Sequence, residues 1–360
     1  MSHLTHIQKN KAHLEQRAHI LRCIREFFWS QNFLEVETPL ILGLPGQEPY
    51  LSPMKVSVHN EKGEMHQGYL HTSPEYTMKK MLGAGFEKIF SLTKTFRDYE
   101  SFGGTHNPEF TMVEWYRNNQ NMYDIMDDCE ALFAYISKYI ADIKKPGVIL
   151  SQETCGHNAS DQCFRFLAPS VVLERPWKRI HMRDLWRQYI GVNLDEYLTV
   201  DAMRELNIQQ GFNPKDDEPY EDLFYRLFLN KIEPYLGVHE PTIVHHYPSQ
   251  MAALARVDVD DPNYAERFEI YIDGIELANA FGELTDPVEQ KKRLEEEQEH
   301  RRRSGKDVFD VDQEFIDALG HVKSAAGIAL GVDRLVQLFT GCKNIDDVLV
   351  LPASKLFNKG

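Results

Sequence analysis

The chain has 360 residues, and its 40 basic and 55 acidic side chains give a formal net charge of −15. Its hydrophobic fraction of 42% is enough to bury a sizeable core, which excludes a wholly disordered chain. No apolar run approaches the ~18 residues that a membrane span needs, the first residues lack the layout of a signal peptide, and the acidic balance argues against broad nucleic-acid binding.

The first part of the chain predicts helices and short strands. Apolar residues recur at helical spacing over residues 12–31, and an alternating strand over 33–38 ends at Pro39. Gly and Pro punctuate residues 43–53, which therefore predict a loop. Further strands are predicted over 54–58, 68–72, 88–96 and 109–116, and further helices over 76–82 and 122–142.

Residues 144–178 mix β-like runs with turn signals, and we interpret them as an insertion. They contain Cys155, His157 and Cys163, whose spacing matches no known zinc pattern. Because the five cysteines of the chain form no disulfide framework, they indicate a reducing, cytoplasmic environment.

The remainder of the chain predicts separate helical and β-rich segments. Residues 181–236 are predicted to be mostly helical, strands are predicted over 242–247, 266–280 and 324–331, and helices over 287–303 and 332–340. Because strands and helices segregate rather than alternate, the prediction is an α+β fold with an antiparallel sheet flanked by helices.

A hairpin is predicted at Asp273-Gly274, since Asp-Gly between alternating runs favours a two-residue turn. Regular pairing from this turn sets residue 269 opposite 278 and gives Glu269 and Glu276 one face, roughly 7–8 Å apart at the backbone. Two such carboxylates can converge on a hard cation. The same pattern also fits a solvated outer face, and the hairpin alone leaves both interpretations open.

A second pair of strands carries an arginine and an aromatic residue. Arg97 follows the strand over 88–96, and Phe110, Met112, Glu114 and Tyr116 share a face of the next strand. A guanidinium can grip a phosphate and a ring can stack on a base, so the arrangement suits a nucleotide. An ordinary hairpin with a cross-strand ion pair remains the alternative.

Small residues at 327, 329 and 331 lead into a helix whose first turn carries Arg334. They allow another group to approach the backbone closely, although tight strand–helix packing would need them equally. The segment matches neither a dinucleotide-binding pattern nor a P-loop.

Together these segments resemble the three signature motifs of class II aminoacyl-tRNA synthetases. The helix with Val36–Pro39 resembles motif 1, Phe96–Tyr116 resembles motif 2, and Gly331–Arg334 resembles motif 3. The amino-acid sequence at 72–75, 106–116 and 274–286 most resembles that of lysyl-tRNA synthetase. Within that superfamily the chain most resembles the elongation factor P–(R)-β-lysine ligase family, which are truncated paralogues of lysyl-tRNA synthetase. The resemblance runs from about residue 12 to about 340, apart from 144–178.

The resemblance implies an ATP-dependent ligase that activates lysine or β-lysine as an adenylate and transfers it to a lysine side chain of elongation factor P. It implies one catalytic domain over 1–360 without an anticodon-binding domain, Mg²⁺ beside the ATP substrate, no tRNA anticodon binding and no membrane association. A homodimer through residues 12–39 is expected. The alternatives are a minimal lysyl-tRNA synthetase-like enzyme with another acceptor and a non-catalytic regulatory paralogue.

The resemblance also assigns roles to residues of this sequence. The ATP-binding residues would be Arg97, Asp98, Tyr99, Glu100, His106, Asn107, Phe110, Glu276, Leu277, Gly331 and Arg334. The amino-acid site would comprise Ser73, Pro74, Glu75, Tyr116, Asn279, Glu283 and Ala329, and Mg²⁺ would lie on Glu269 and Glu276.

Specific contacts follow from the same resemblance. Arg97 would hold the α-phosphate, Arg334 the γ-phosphate, and both would be catalytic, while Phe110 would stack on adenine. Glu75 would hold the α- or β-amino group. Glu283 and Tyr116 would hold the side-chain ammonium.

Two departures from the family pattern affect these assignments. Motif 2 often reads Arg-x-Glu, whereas three steps separate Arg97 from Glu100, so either Asp98 or Glu100 could make the motif 2 contact. Ala329 stands where lysyl-tRNA synthetases usually have glycine. Its extra methyl group should disfavour the standard α-amino acid and admit a shifted amine.

Overall fold

The computed structural model describes residues 2–48, 50–143 and 173–357. Residues 144–172 of the predicted insertion, with Cys155, His157 and Cys163, lie outside the described residues. Within the described residues, no helix is long and apolar enough to cross a membrane.

The described chain forms ten α-helices and eleven strands, joined by short 3-10 turns. The helices are α1 His3–Ser30, α2 Glu75–Gly83, α3 Met122–Ile143, α4 Met182–Tyr189, α5 Val200–Gln209, α6 Tyr220–Lys231, α7 Pro287–Arg303, α8 Gln313–Leu319, α9 Val332–Thr340 and α10 Ala353–Leu356. The strands are β1 Leu34–Glu35, β2 Ile41–Leu42, β3 Lys55–His59, β4 Met65–Leu70, β5 Lys88–Phe96, β6 Glu109–Asn118, β7 Lys178–His181, β8 Thr242–Pro248, β9 Tyr264–Ile272, β10 Ile275–Gly282 and β11 Ala325–Gly331.

Eight strands form one sheet in the order β1-β5-β6-β11-β10-β9-β8-β7, and β2, β4 and β3 form a smaller sheet. The α+β class is therefore confirmed. The six central strands of the large sheet are antiparallel, but β1 and β7 join its edges in parallel. The predicted antiparallel sheet therefore carries one parallel strand at each edge, which the sequence did not predict. Their parallel partners lie dozens of residues away along the chain, where no local hairpin signal exists.

The two faces of the large sheet have different partners. Val113, Trp115, Ile328 and Leu330 belong to the main hydrophobic core, which also includes buried residues of α1, α3 and α9. Residues of β6 and β11 at alternate positions, such as Glu114 and Ala329, line a cavity instead. Strand alternation thus separates the core from the cavity.

The β9–β10 hairpin turns at Asp273-Gly274 as predicted, but its register is not regular. Ile272 pairs with Ile275 and Tyr271 with Glu276, after which a bulge sets Ala278 opposite Ile270 and Asn279 opposite Glu269. The predicted pairing of 269 with 278 is wrong, because a bulge adds one residue to one strand and regular alternation cannot anticipate it. Ala278 consequently packs in the core.

Helix α1 begins at His3, nine residues before the predicted start. The Ser2 side chain caps it by accepting a hydrogen bond from the backbone N–H of Thr5 (3.2 Å). The early turns bury the polar residues His6 and Asn10, so the apolar pattern that predicts a helix is absent there. The strand predicted over 33–38 shrinks to the two residues of β1.

Candidate active site

A cavity of about 910 Å³ lies over the polar face of the large sheet. Most of the residues assigned from the sequence line it, and these are Ser73, Glu75, Arg97, Glu100, His106, Asn107, Phe110, Tyr116, Glu276, Leu277, Asn279, Glu283, Ala329, Gly331 and Arg334. Four assigned residues do not line it, namely Pro74, Asp98, Tyr99 and Glu269. The cavity therefore unites segments more than 200 residues apart in the chain.

Arg97 supplies one cationic group to the cavity. Its guanidinium lies 5.1 Å from the centre of the Phe110 ring, and its buried Nε finds no hydrogen-bond acceptor in the described part of the chain. Burial lowers the pKa of Arg97, although nearby carboxylates beginning with Glu48 oppose the effect. An unpaired buried donor of this kind is suited to an anionic ligand.

Arg334 supplies the second cationic group, from the first turn of α9. Its Nη1 donates to the backbone carbonyl of Glu276 (2.7 Å) and its Nε to that of Thr105 (3.2 Å). Its Nη2 lies 3.0 Å from Nε2 of His106. Burial, and then the charge of Arg334, lower the pKa of His106, so the neutral imidazole accepts this hydrogen bond.

The alternatives for the motif 2 acid differ in location. Glu100 lines the cavity. Asp98 is exposed and accepts from the backbone N–H of Tyr99 (3.0 Å), and Tyr99 itself is 91% exposed. The geometry therefore favours Glu100 for a ligand contact, and gives Asp98 and Tyr99 no position in the cavity.

The other end of the cavity is built from carboxylates around a buried lysine. Lys79 Nζ lies 2.5 Å from Glu75 Oε1 and 2.5 Å from Glu283 Oε2, and its side chain is 1% exposed. Burial alone would lower the pKa of Lys79, but the charges of Glu283 and Glu75 raise it above its ordinary value. Burial raises the pKa of Glu283 despite this partner. The sequence interpretation missed Lys79, although its i,i+4 spacing from Glu75 on a helix was a usable signal.

Glu114 is a further carboxylate that the site assignment missed. It is fully buried and accepts hydrogen bonds from Ser73 Oγ (2.7 Å) and Tyr116 Oη (3.0 Å). Burial, and then the charge of Glu75, raise its pKa to about 8. Its position on the same face of β6 as Phe110 and Tyr116 was predicted, but no role was drawn from it.

Small residues of β11 set the shape of this end. A Cβ at Gly327 would lie 2.2 Å from the Tyr116 ring and 2.7 Å from Glu283 Oε1, so only glycine leaves room for both side chains. Ala329 lies between Glu114 and Asn279 in the sheet. Its methyl group therefore adjoins the carboxylate end of the cavity.

The two predicted metal ligands have different surroundings. Glu276 faces the cavity with its side chain 39% exposed, and its Oε2 lies 3.8 Å from Arg334 Nη1. Burial, and then the charge of Glu269, raise the pKa of Glu276. Its carboxylate is an oxygen donor of the kind that Mg²⁺ prefers.

Glu269 is buried behind the cavity, and both of its carboxylate oxygens are engaged. Tyr247 and Tyr271 donate to its Oε2 at 2.5 and 2.6 Å, and Arg267 donates to its Oε1 at 2.7 Å. These three donors already neutralise much of the acceptor capacity of a buried carboxylate, so the surroundings fit Glu276 better than Glu269 as a cation ligand. Within the described ranges, no group of three or more His, Cys, Asp or Glu side chains is arranged to hold a metal ion.

The basic run near the end of α7 does not form a continuous exposed surface. The run Arg301–Arg303 with Lys306 suggests a basic surface, but Arg301 is buried and donates to the backbone carbonyls of Glu48 (2.8 Å) and Leu51 (3.0 Å). Arg302 and Arg303 both pair with Glu299. Arg301 therefore holds the loop at Glu48 and Leu51 and is not part of an exposed basic surface.

Comparison with known proteins identifies similar chains of nearly equal extent. The family model of class II tRNA synthetases (D, K and N) matches residues 3–355. The elongation factor P–(R)-β-lysine ligase of Pseudoalteromonas translucida (strain TAC 125) is 35% identical over 351 residues, which cover 96% of each chain. The ligase of the same name from Yersinia enterocolitica is 35% identical over 346 residues and 96% of each chain. That from Haemophilus influenzae is 33% identical over 357 residues, or 97% of this chain and 98% of the relative.

Proposed function

The chain belongs to the class II tRNA synthetase family (D, K and N), within it to the elongation factor P–(R)-β-lysine ligase family, and we propose that it catalyses the corresponding reaction. It would activate lysine or β-lysine with ATP and transfer the product to a lysine side chain of elongation factor P. The observation that carries the activation step is the cavity itself. Two arginines line the cavity and could bind the phosphates of ATP, and several carboxylates line its other end and could bind ammonium groups.

In the proposed first step, a carboxylate oxygen of the amino acid attacks the α-phosphorus of ATP. A bond forms from that oxygen to phosphorus, the bond to the β-phosphate breaks, and pyrophosphate leaves. Arg97 would stabilise the charge on the α-phosphate and Arg334 that on the γ-phosphate, while Phe110 stacks on adenine. Glu75, with Glu283 and Tyr116, would orient the two ammonium groups of the substrate.

We propose Mg²⁺ as the accompanying cation, with Glu276 as its protein ligand. Its partly exposed carboxylate beside Arg334 supports this assignment, whereas Glu269 is buried and already accepts from two tyrosines and an arginine. When bound, Mg²⁺ would neutralise phosphate charge. Because a single carboxylate is a small ligand set, most of the remaining ligands would come from phosphate oxygens and water.

In the proposed second step, the neutral Nζ of an acceptor lysine attacks the carbonyl carbon of the adenylate. An amide bond forms, AMP leaves with the bonding electrons, and the nitrogen loses a proton. The names of the relatives support elongation factor P as the acceptor. Since that acceptor is a translation factor, we expect the reaction to occur in the cytoplasm. The Ala329 methyl beside Glu114 supports β-lysine over α-lysine.

We expect labelled lysine or β-lysine to accumulate on elongation factor P and not on tRNA when both acceptors are offered with ATP and Mg²⁺. The measurement is acid-precipitated label on each acceptor, with ATP–pyrophosphate exchange recorded in parallel. Label on tRNA alone would favour a minimal lysyl-tRNA synthetase. Absence of both exchange and transfer would favour a non-catalytic paralogue.

We also propose a homodimer through residues 12–39. Trp29 and Leu34 are each 52% exposed, and β1 is an edge strand of the large sheet, so a second copy would cover both. Sedimentation at micromolar concentration should therefore give twice the mass of one chain. The double variant Trp29→Glu/Leu34→Glu should sediment as a monomer, while Val259→Glu, at another exposed apolar position, should not. A monomeric wild-type chain would refute the proposal.

A further inference from the structure

The loop over residues 103–107 holds the second cationic residue of the cavity. Gly103 and His106 exchange backbone hydrogen bonds of 3.0 and 3.3 Å, and Gly103 and Gly104 adopt φ values of 104° and 70° that favour glycine. The carbonyl of Thr105 and the ring of His106 both contact Arg334. Any movement of this loop would therefore move Arg334.

The C-terminal segment, residues 344–357, contacts this loop at two points and the preceding residue, Phe102, at a third. The backbone N–H of Ile345 donates to the carbonyl of Gly104 (2.8 Å), and that of Ala353 donates to Asn107 Oδ1 (2.9 Å). The rings of Phe102 and Phe357 lie 5.9 Å apart. The C-terminal segment is thus fastened along the outside of the loop.

Both polar atoms of the Asn107 side chain form hydrogen bonds with other residues of the protein. Its Nδ2 donates to the backbone carbonyl of Glu109 (2.5 Å), its Oδ1 accepts from Ala353, and the residue is 7% exposed. The sequence resemblance assigns Asn107 to ATP contact. In the structure its hydrogen bonds instead join the loop, the start of β6 and the C-terminal segment.

The first turns of α1 support the same segment from the other side. His6 Nε2 lies 3.2 Å from the carbonyl oxygen of Leu349, and His3 Nε2 lies 3.3 Å from that of Lys355. The C-terminal segment is therefore held between α1 and the loop.

We infer that Asn107 is a positioning residue for ATP binding, which acts by fastening the 103–107 loop to the C-terminal segment and so orienting Arg334. The inference rests on the proposed function, since it concerns the ATP site of that reaction. It assigns a part in ATP binding to Ala353, a residue outside the cavity.

The test removes the donor without touching the cavity. Ala353 is the first residue of α10, where proline is tolerated, so Ala353→Pro removes the N–H that donates to Asn107 Oδ1, sets the proline Cδ against that oxygen and thereby breaks the contact. We expect the KM for ATP in pyrophosphate exchange to rise about tenfold while the KM for lysine stays unchanged. Ala353→Gly keeps the N–H and should leave both constants as in the wild type. An unchanged KM for ATP in Ala353→Pro would overturn the inference.

A double-mutant cycle separates positioning from direct nucleotide contact. If Asn107 acts through Ala353, then Asn107→Ala combined with Ala353→Pro should raise the KM for ATP no more than Asn107→Ala alone. If the two substitutions instead raised the KM for ATP by the product of their separate effects, Asn107 would contact the nucleotide directly and the inference would be refuted. Phe357→Ala removes a ring that packs near Phe102, a separate contact between the C-terminal segment and the start of the loop. It should raise the KM for ATP about twofold, and it tests the link between segment and loop even if Ala353→Pro does not fold. Absence of exchange in the wild type would instead refute the proposed function.

Discussion

Replacement of Arg97 by glutamine is expected to lower the rate of ATP–pyrophosphate exchange by about 10²–10³-fold, the usual cost of removing one donor that stabilises transition-state charge. The guanidinium lies against Phe110, and its buried Nε has no acceptor among the residues that the structure describes. Its hydrogen-bonding capacity is therefore available to a phosphate. Steady-state exchange at saturating lysine measures the effect.

Two further variants test the assignment of Arg97. Arg97→Lys keeps a positive charge but loses the planar fork, so its rate should lie between those of the wild type and Arg97→Gln. Arg204→Gln removes a guanidinium from α5, where it pairs with Asp201 outside the cavity, and should exchange normally. Wild-type exchange by Arg97→Gln would remove Arg97 from the proposed mechanism.

Replacement of Lys79 by methionine is expected to lower the free energy of unfolding by about 3–5 kcal/mol, the range found when one partner of a buried ion pair is removed. Glu75 and Glu283 would lose the cation that lies 2.5 Å from each of them. Urea unfolding measures this loss. Lys80→Met, the next residue on α2, removes a lysine that is paired with Asp312 and 31% exposed, and should cost less than about 1 kcal/mol.

The same variant should also change the pH dependence of lysine binding. Without the Lys79 charge, the pKa of the already raised Glu283 rises further, and a protonated carboxyl group does not bind an ammonium. The KM for lysine should therefore be raised near neutral pH and fall as pH increases and Glu283 ionises. A KM with the same pH profile as the wild type would show that Lys79 does not act through these carboxylates.

Much of the fold could be predicted because its signals are local. Helix α7 has the bounds that its Pro at the start and charged pattern predict, and β5 begins and ends where its alternation does. The face shared by Phe110, Met112, Glu114 and Tyr116 follows from a two-residue period, and all four line the cavity.

The features that were missed depend on partners far away in the chain. Arg301 belongs to an exposed-looking charge run, and its burial depends on carbonyl groups some 250 residues earlier. Glu269 accepts a hydrogen bond from Tyr247, which lies on a different strand. The start of α1 buries His6 through contact with the C-terminal segment. None of these contacts produces a periodic pattern of apolar and polar residues from which it could be predicted.

The bulge in β10 makes insertions and deletions at this hairpin unequal in their consequences. Side chains of a regular strand alternate between its two faces, so residues three positions apart point to opposite faces. The bulge lets Glu276 and Asn279, which are three positions apart, point to the same face. Deleting Leu277 would restore simple alternation and leave both residues on their present sides. Inserting one residue at the same point without a second bulge would turn the Asn279 side chain from the cavity toward the opposite face of the sheet. Lineages of this enzyme should accordingly tolerate a shortened hairpin here more readily than a lengthened one.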